Sequence, residues 1–469
     1  MGAAARHPLA QLYDPGTVRS RCAAILRSVE GGVSPNFKID RSHLPAVVER
    51  VAALMLRRFP DLVIPLHSRW RHFEAGGLDR KAEMDALLDG RSVAEVARAR
   101  FDLTVVSVLL DAGAGANWRY TEHLGGGRAL PASAMPHADA DDLLAALNQA
   151  AAGKSAEPAP APAPEPSAAP TGTAAVSYSR SEGLGVASFR AFMAGAFSSK
   201  AGELLRADAA ALRHVDVAAL RAMFQSSPSN PVVGLEGRAA LLSRLGGVLQ
   251  VEGGRSQHEA RPGLLYDRLS ANGARQSVSA TEVLGEVLRC FAPIWPSGSK
   301  VQGLPGGDVW PHRWAGASVG GRDARAHDRT TDGWVPFHKL SQWLTYSLLE
   351  PLQWAGVQVT GIEALTGLPE YRNGGLLLDG GVIVPRDRRY LQRVWKPQDE
   401  FIVEWRALTI ALLDEVAQGV RARLGRSEHE LPLACILEGG TWAAGREIAR
   451  ELRADGSPPL QIESDGTLF

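Results

Sequence analysis

The chain of 469 residues is long enough for two or three domains, or for one large domain with insertions. Its apolar fraction of 45% and charged fraction of 22% are those of an ordinary globular protein. Because 51 basic residues balance 51 acidic ones, the zero net charge argues against a nucleic-acid partner or a polybasic membrane-binding segment.

Cysteine usage and the N-terminal residues indicate a cytoplasmic protein. Cys22, Cys290 and Cys435 are far apart and form no C-x-x-C pair, so we expect small buried hydrophobes rather than disulfides, zinc ligands or a nucleophile. The N-terminus has no long apolar run typical of a signal peptide, and no stretch of 18 apolar residues occurs. We therefore expect neither secretion nor a membrane span.

Helical periodicity dominates the chain and predicts a mainly α fold with few short strands. Arg100–Gly113, RFDLTVVSVLLDAG, is read as a buried helix, although its β-branched residues would also permit a strand. Apolar residues at intervals of three and four residues predict the other helices. These cover residues 15–30, 43–58, 78–88, 91–99, 201–212, 216–224, 236–250 and 280–292, and one long helix within DEFIVEWRALTIALLDEVAQGVRARL.

The composition changes most clearly over residues 122–176, which separate an N-terminal helical part (1–121) from a C-terminal helical part (177–469). Within this stretch KSAEPAPAPAPEPSAAP carries proline at alternate positions, which can form neither a helix nor a ladder. We predict an exposed polyproline-like linker. It either separates two domains or is inserted into a single one.

Two loops combine aromatic and charged side chains. His67 and the segment SRWRHFEAGG that follows it, with Arg71 and His72, form either an anion site or a loop of snorkelling side chains. In the loop GLPGGDVWPHR, four neighbouring residues suit a nucleotide-like ligand, or else a tryptophan merely anchors a surface loop. These four are Asp308, Trp310, His312 and Arg313. The glycines match no P-loop or dinucleotide fingerprint, and His312 and His338 lack metal-ligand spacing, so we expect no cofactor and no metal.

The stretch from Asp332 to Val382 is the most unusual part of the sequence. Pro336 is predicted to start a helix whose apolar row includes Phe337 and Leu340. A different face carries Lys339, Gln342 and Tyr346, with Trp343 beside them. Such side chains can hold a phosphate or a sugar in a cleft, or the lysine simply lies on an ordinary surface.

A polar segment follows that helix. Pro369 favours a turn that presents four polar residues together, Glu370, Tyr371, Arg372 and Asn373. A carboxylate beside Arg and Asn suits hydrolysis through an oxocarbenium-like state, or else forms an ion pair that pins the loop. A second carboxylate, Glu438, would share a face with Trp442 if the segment is helical, although Gly439-Gly440 weakens that prediction.

Long motifs resemble a known family. SEGLGVASFRAFMAGAFSS, GDVWPHR, VPFHKLSQWLTYSLLEPLQWAG and LTGLPEYRNGGLLLD are similar to the uracil-catabolism protein 4 family of fungi and bacteria, formerly a domain of unknown function. The resemblance covers most of the chain but not the Ala/Pro stretch, which favours an insertion. It implies a role in pyrimidine degradation, where a ribosylurea-type intermediate must be processed.

A more distant resemblance concerns chemistry. The order Phe337-x-Lys339-x-x-Gln342, Leu365-Thr366 and Glu370-Tyr371-Arg372, together with Glu438 and Trp442, is similar to the queuosine-nucleotide N-glycohydrolases. It implies a helical, DNA-glycosylase-like architecture and cleavage of a base from a ribose 5′-phosphate. Both acids are Glu here, where that family has Asp, and Asn373-Gly374-Gly375 replaces a more helical run, so we expect a different base pocket.

These observations lead us to predict a metal-independent N-ribosyl hydrolase, whose substrate is a ribosylurea, its phosphate or a related riboside. Glu370 would be the catalytic carboxylate, and Glu438 would hold ribose hydroxyls or orient water. The other roles are phosphate binding by Lys339, Gln342, Arg372 and His312, and stacking by Trp310, Phe224 or Trp442. Two alternatives remain open, an amidohydrolase or deaminase acting on the opened ring, and a non-catalytic protein that binds nucleotides or pathway enzymes.

Overall fold

The computed structural model describes residues 9–115, 117–124, 174–253, 258–295, 299–316 and 331–463. Helices carry most of these residues and every strand is short, so the predicted mainly α fold is confirmed. The α-helices are Pro15–Glu30, Leu44–Arg58, Arg69–Phe73, Arg80–Leu87, Val93–Leu109, Arg180–Met193, Ala209–Leu212, Val217–Met223, Leu235–Gly253, Leu264–Leu269, Ala280–Phe291, Lys339–Trp354, Tyr371–Asp379, Glu400–Leu424, Leu433–Ile436 and Trp442–Leu452. The likeness to DNA glycosylases stays a prediction.

The strands form isolated pairs rather than a continuous sheet. Antiparallel pairs join Phe37–Ile39 to Ile383–Pro385, Arg119–Leu124 to Ala174–Ser179, Lys300–Val301 to Leu304–Pro305, and Val309–Pro311 to Trp334–Pro336. Parallel pairs join Ser277–Ser279 to Gln358–Thr360, and Val394–Trp395 to Gln461–Ile462. Each pair is only two to six residues long and none shares a strand with another, so the described strands build no layer. Most pairs join segments that are far apart in the sequence and so hold helices together.

One hydrophobic core joins the N-terminal and C-terminal parts. The 25-residue helix Glu400–Leu424 runs through it and packs against Pro15–Glu30 and Leu44–Arg58. The helix Lys339–Trp354, here called the central helix, packs against Val93–Leu109 and Ala280–Phe291. The helix Tyr371–Asp379, here called the capped helix, packs against Trp442–Leu452, the C-terminal helix. Residues more than 300 positions apart in sequence therefore meet around one interior.

The central helix begins later than predicted. Pro336 ends a strand that pairs with Val309, and His338 adopts a left-handed conformation with φ of 49°. Helical geometry therefore starts at Lys339, whose backbone N–H donates to Asp308 Oδ2 at 3.0 Å. The prediction that Pro336 occupies the first helical turn is wrong, because strand pairing and the left-handed residue separate it from the helix.

The predicted turn after Pro369 is also wrong, since helix begins at Tyr371 and continues through Gly374-Gly375. A Cβ at position 374 would collide with the ring of Trp405, whose Nε1 donates to the Gly374 carbonyl at 3.3 Å. The glycine therefore lets a large core side chain approach the helix backbone.

Two other helix predictions had different outcomes. Val93–Leu109 is helical, so the helix within Arg100–Gly113 is confirmed over its strand alternative. The expected helix over 201–212 is reduced to Ala209–Leu212, because Asp208 caps it by accepting the Ala211 N–H at 3.1 Å. Because the Asp208 side chain satisfies an N–H group of the first turn, the helix starts at Ala209, and the residues before it are irregular.

The two flanks of the Ala/Pro-rich stretch lie side by side, because Arg119–Leu124 pairs with Ala174–Ser179 in antiparallel register. Residues 125–173, which hold the predicted polyproline-like linker, lie outside the described residues. Among the helices that are described, none has both the length and the apolar character needed to cross a lipid bilayer.

Candidate functional site

A cavity of about 430 Å³ lies between the N-terminal and C-terminal parts. Its wall comes from segments near residues 58–72, 111–115, 180–182, 339–343, 368–372, 438–443 and 455–458. Its polar and aromatic side chains are Arg58, His67, Arg71, His72, Asp111, Arg180, Ser181, Glu182, Lys339, Trp343, Glu370, Tyr371, Arg372, Glu438, Trp442, Asp455 and Ser457. Such a concave site with converging charges is where a small ligand binds in most proteins.

Glu370 is the N-cap of the capped helix. Its Oε2 accepts the Arg372 N–H at 2.8 Å and its Oε1 accepts the Asn373 N–H at 2.6 Å. Shorter side chains usually fill this role, and the extended backbone of Glu370 lets the longer one fold back. The carboxylate is thereby held in one place on the cavity wall, and each oxygen keeps a second lone pair that can face a ligand.

Glu438 lies on the cavity wall within a π-helical segment, Leu437–Thr441. Its Oε2 is 2.8 Å from Nδ1 of His67, and its Oε1 is 3.9 Å from a guanidinium nitrogen of Arg58. Burial alone would raise the pKa of Glu438, but the hydrogen bond to His67 and the charges of His67 and Arg58 lower it overall. The carboxylate is therefore held in its ionised form beside an imidazole.

The Gly439-Gly440 pair explains how Glu438 reaches His67. A Cβ at Gly439 would lie 2.9 Å from Ile64 Cδ1, and one at Gly440 would lie 2.6 Å from Val51 Cγ1. The absence of side chains lets the π-helical turn press against the helix Leu44–Arg58 and the segment that follows it. Single π-helical turns of this kind occur frequently at functional sites.

An aromatic wall lies beside this carboxylate. The Trp343 ring is 6.4 Å from the His67 ring and 5.8 Å from the His72 ring, the latter in an edge-to-face arrangement. Burial, with a smaller effect of the Arg69 charge, lowers the pKa of His72 well below its usual range, so this imidazole is neutral at physiological pH. Nδ1 of His72 has no hydrogen-bond partner among the described residues, and the hydrogen bond of His67 to Glu438 uses its Nδ1.

Lys339 is the first residue of the central helix and lines the cavity half-buried. Burial lowers the pKa of its ammonium group, and the negative charges of Glu370 and Asp111 act in the opposite direction. Asp111 is itself paired with Arg69 at 2.9 Å, in a buried ion pair. The lysine therefore lies among charges of both signs, with Glu370 on one side and the paired Asp111 and Arg69 on the other.

Six of the predicted site residues line this cavity: Glu370, Glu438, Lys339, Tyr371, Arg372 and Trp442. Two other predicted site residues, Gln342 and Asn373, do not line the cavity. Gln342 is buried and its Nε2 donates to Thr366 Oγ1 at 2.9 Å. Asn373 is buried, donates to the Leu368 carbonyl at 3.1 Å and accepts from Thr441 at 2.9 Å. Gln342 thus connects the central helix to the segment before Glu370, and Asn373 connects the capped helix to the π-helical turn.

The residues of the GDVWPHR loop lie elsewhere. Asp308 forms a two-bond ion pair with Arg406 at 2.8 and 2.7 Å and also accepts the Trp310 Nε1–H at 2.6 Å. Burial would raise the pKa of Asp308, but the Arg406 charge and these hydrogen bonds lower it far below its usual range. His312 is buried 3.8 Å from Glu404. The loop thus holds the core together.

The two remaining predicted residues are also remote from the cavity wall. Arg313 is exposed and pairs with Glu400 through two contacts of 2.6 Å. Phe224 is fully buried, and its carbonyl accepts the Trp118 Nε1–H at 2.8 Å. The described residues contain no cluster of three or more His, Cys, Asp or Glu side chains that could hold a metal ion.

Part of the cavity wall is only weakly indicated by the sequence. The sequence offers His67, Arg71 and His72 as either an anion site or a loop of snorkelling side chains, and the structure places all three on the cavity wall. Their signal was the alternation of basic and aromatic residues in SRWRHFEAGG. The segments around Asp111 and Arg180 carry no such alternation, and the motif that starts at Ser181 gives no sign of a site, so only the fold places them on the cavity wall.

The fold and the cavity define a mainly helical protein with a cavity lined by charged and aromatic side chains. A family model described as "Protein of unknown function (DUF1688)" matches residues 11–132 and 168–469, and the chain belongs to this family. Protein urg3 of Schizosaccharomyces pombe is 34% identical over 469 residues, covering 98% of this chain and 99% of that protein. Uracil catabolism protein 4 of Lachancea kluyveri is 32% identical over 492 residues, covering 99% of each. The predicted membership of the uracil-catabolism protein 4 family is confirmed.

Proposed function

We propose that the protein is a cytoplasmic N-ribosyl hydrolase of uracil catabolism, which cleaves the N-glycosidic bond of a ribosylurea or a related pyrimidine-derived riboside. The observation that carries this proposal is that Glu370 and Glu438, from segments 68 positions apart, line the same cavity. The printed name of the Lachancea kluyveri relative supports the pathway.

The reaction breaks the bond between the anomeric carbon and a urea nitrogen. The bonding electron pair leaves with the nitrogen, and positive charge develops on the anomeric carbon and the ring oxygen. A carboxylate fixed as firmly as that of Glu370 stabilises such a cation without having to reorganise. Water then adds to the anomeric carbon, which gives free ribose and urea.

The His67–Glu438 pair supplies the proton transfers. Glu438 orients the imidazole through Nδ1, so Nε2 is the atom left to exchange a proton with the attacking water or the leaving nitrogen. One proton moves from the water to this site and one moves to the departing urea, so the overall reaction consumes only water. Trp343 and Trp442 offer apolar faces for the planar ureido group.

Incubation of the purified protein with ribosylurea and with its 5′-phosphate tests the proposal. We expect urea release at a rate that depends on enzyme concentration, and loss of this release in Glu370→Gln. Absence of urea from both substrates, with tight binding of either one, would instead identify a non-catalytic binding protein.

One observation favours that second candidate, a nucleotide-binding protein without turnover. Both oxygens of Glu370 already serve the helix as its N-cap, which is a sufficient structural role for this residue. The two candidate functions predict different results for Glu370→Asp. This variant keeps a helix cap and a carboxylate, but its side chain is one methylene shorter, so the carboxylate lies farther from the cavity. An enzyme should lose turnover in this variant, whereas a binding protein should lose little affinity.

A further inference from the structure

One short segment supplies three residues of the cavity wall. His67, Arg71 and His72 all line the cavity, and they lie in or next to the helix Arg69–Phe73. A helix of five residues is not stable by itself, because its nucleation costs more free energy than so few hydrogen bonds recover. Contacts with other elements therefore hold these three side chains in place.

Pro351 leaves an acceptor on the central helix for one of these contacts. Proline has no N–H, so it donates no helical hydrogen bond to the carbonyl four residues earlier, which is that of Ser347. The Trp70 Nε1–H donates to this carbonyl at 3.1 Å, and the Arg69 N–H donates to Ser347 Oγ at 2.9 Å. Ser347, Arg69 and Trp70 are all buried, so these hydrogen bonds fix the short helix to the core.

Glu350 holds the residues on either side of that contact. Its Oε2 accepts the hydroxyl of Ser68, and its Oε1 accepts an N–H of the Arg71 guanidinium at 2.7 Å. Ser347 lies three residues before Glu350, on the same face of the central helix. Residues 68–71 therefore each donate a hydrogen bond to Ser347 or to Glu350.

The same carboxylate fixes Arg71 on the cavity wall. Nη2 of Arg71 donates to Glu350, and Nη1 lies 3.0 Å from an oxygen of Glu74, so both terminal nitrogens of the guanidinium are held. The side chains of Arg71 and Glu350 are only 14% and 13% exposed. Removal of the Glu350 carboxylate would therefore release Ser68 and Arg71 together.

Ser68 connects this arrangement to His67. It is fully buried, and its Oγ also accepts a backbone N–H of the first turn at 3.3 Å, so it is the N-cap of the short helix. His67 is the residue before it, and the His67 N–H donates to the Ala434 carbonyl at 3.1 Å. Ala434 lies four residues before Glu438, the partner of the His67 ring. The backbone is thus fixed on both sides of the His67 side chain.

We propose that Glu350 is a positioning residue of the candidate site. It holds Ser68 and Arg71, and through them it keeps the His67 imidazole against the carboxylate of Glu438. Glu350 is not part of the cavity wall, so it acts through His67 and not on the ligand. The proton transfers assigned to His67 rest on the proposed function, whereas the placement of its ring does not.

Chemical modification tests the placement of His67 without any substrate. Diethyl pyrocarbonate acylates an accessible, unprotonated imidazole, and trypsin releases Phe59–Arg69 as a peptide whose only histidine is His67. Glu350→Ala should speed the modification of this peptide about tenfold, because two hydrogen bonds that hold the segment closed are lost. Glu350→Gln keeps polar atoms for both contacts and should change the rate by less than about threefold.

Asp267→Ala is the matched control, because it breaks a two-bond ion pair with Arg98 whose carboxylate is 12% exposed and lies away from the cavity wall. Both alanine variants should lower the temperature of thermal unfolding, yet only Glu350→Ala should alter His67. An unchanged rate in folded Glu350→Ala, or an equal change in both variants, would overturn the inference. If Glu350→Ala does not fold, Ser68→Ala removes the hydroxyl that reaches Glu350, and an unchanged rate there has the same meaning.

Urea release from ribosylurea separates this inference from the proposed function. Glu350→Ala should lower kcat about ten- to a hundredfold, because a small displacement of a catalytic group slows the reaction, and KM should change little since Glu350 does not touch the ligand. Glu350→Gln should recover most of kcat. Altered His67 modification in Glu350→Ala, with no urea release by the wild type, would contradict the proposed function alone. Urea release that is as fast in Glu350→Ala as in the wild type would contradict the positioning role alone.

Discussion

Nδ1 of His67 lies 2.8 Å from Oε2 of Glu438, although 371 positions separate the two residues in the chain. The pair joins the N-terminal part to the π-helical turn of the C-terminal part. Both side chains are only slightly exposed, at 12% and 11%, and that exposure is toward the cavity. The contact fixes the orientation of the imidazole, which the proposed proton transfer requires.

The first prediction concerns the pH dependence of stability. The pKa of Glu438 is lower in the folded protein than its ordinary value of about 4.3, so its contribution to folding is fully present above that value. The contribution disappears as the pH falls through the folded pKa. Glu438→Gln should therefore reduce the free energy of unfolding at pH 7 but change it much less in strong acid, as measured by urea denaturation at both pH values.

Glu428→Gln is the matched control for that measurement, because this carboxylate is 56% exposed. It should change stability by less than about 0.5 kcal/mol at either pH. A loss in Glu438→Gln that is equally large at both pH values would show that packing, and not the ionised carboxylate, is responsible.

The second prediction separates the two roles of Glu370. Glu370→Ala removes the cap of the capped helix and should destabilise the protein by about 1 kcal/mol. Glu370→Asp should keep most of that stability, because aspartate is a good N-cap, yet it should lose most urea release since the carboxylate moves away from the cavity. Unfolding curves and initial rates on the same preparations give both quantities. Full activity in Glu370→Ala would remove this residue from the proposed mechanism.

The third prediction tests the close contact between the C-terminal helix and the capped helix. Gly445→Ala places a Cβ against the Arg372 carbonyl and should destabilise the protein by about 1–3 kcal/mol. Gly285→Ala is the control, because a Cβ there meets nothing within 4 Å and alanine favours a helix. The control should be neutral or more stable by up to about 1 kcal/mol. Equal effects of both substitutions in chemical denaturation would contradict the close contact.

The fourth prediction concerns the buried ion pair of Asp308 and Arg406. Arg406→Met leaves the Asp308 carboxylate buried without its main partner and should cost about 3–5 kcal/mol of unfolding free energy. The double variant Asp308→Asn with Arg406→Met should recover part of this loss, because no uncompensated charge remains. Additive losses in this double-mutant cycle would show that the two side chains do not depend on each other.

The sequence was most informative where a pattern is local. Apolar residues at helical spacing predicted the mainly α fold, and the Glu370-Tyr371-Arg372 segment pointed to the part of the chain that lines the cavity. Local pattern misled at Pro336, where proline suited either a helix start or the end of a strand. Pairing with Val309, which comes from another segment, decided between the two.

The sequence by itself therefore determined most of the helices, the family and two acidic residues that line the cavity. Only the tertiary structure decided which polar residues share a cavity, because that depends on contacts between segments hundreds of positions apart. Asp308 is as polar as Glu438, yet its carboxylate pairs with the buried guanidinium of Arg406 and stabilises the fold. Glu438 instead faces a cavity beside His67, since the glycines that follow it let one turn of helix approach closely.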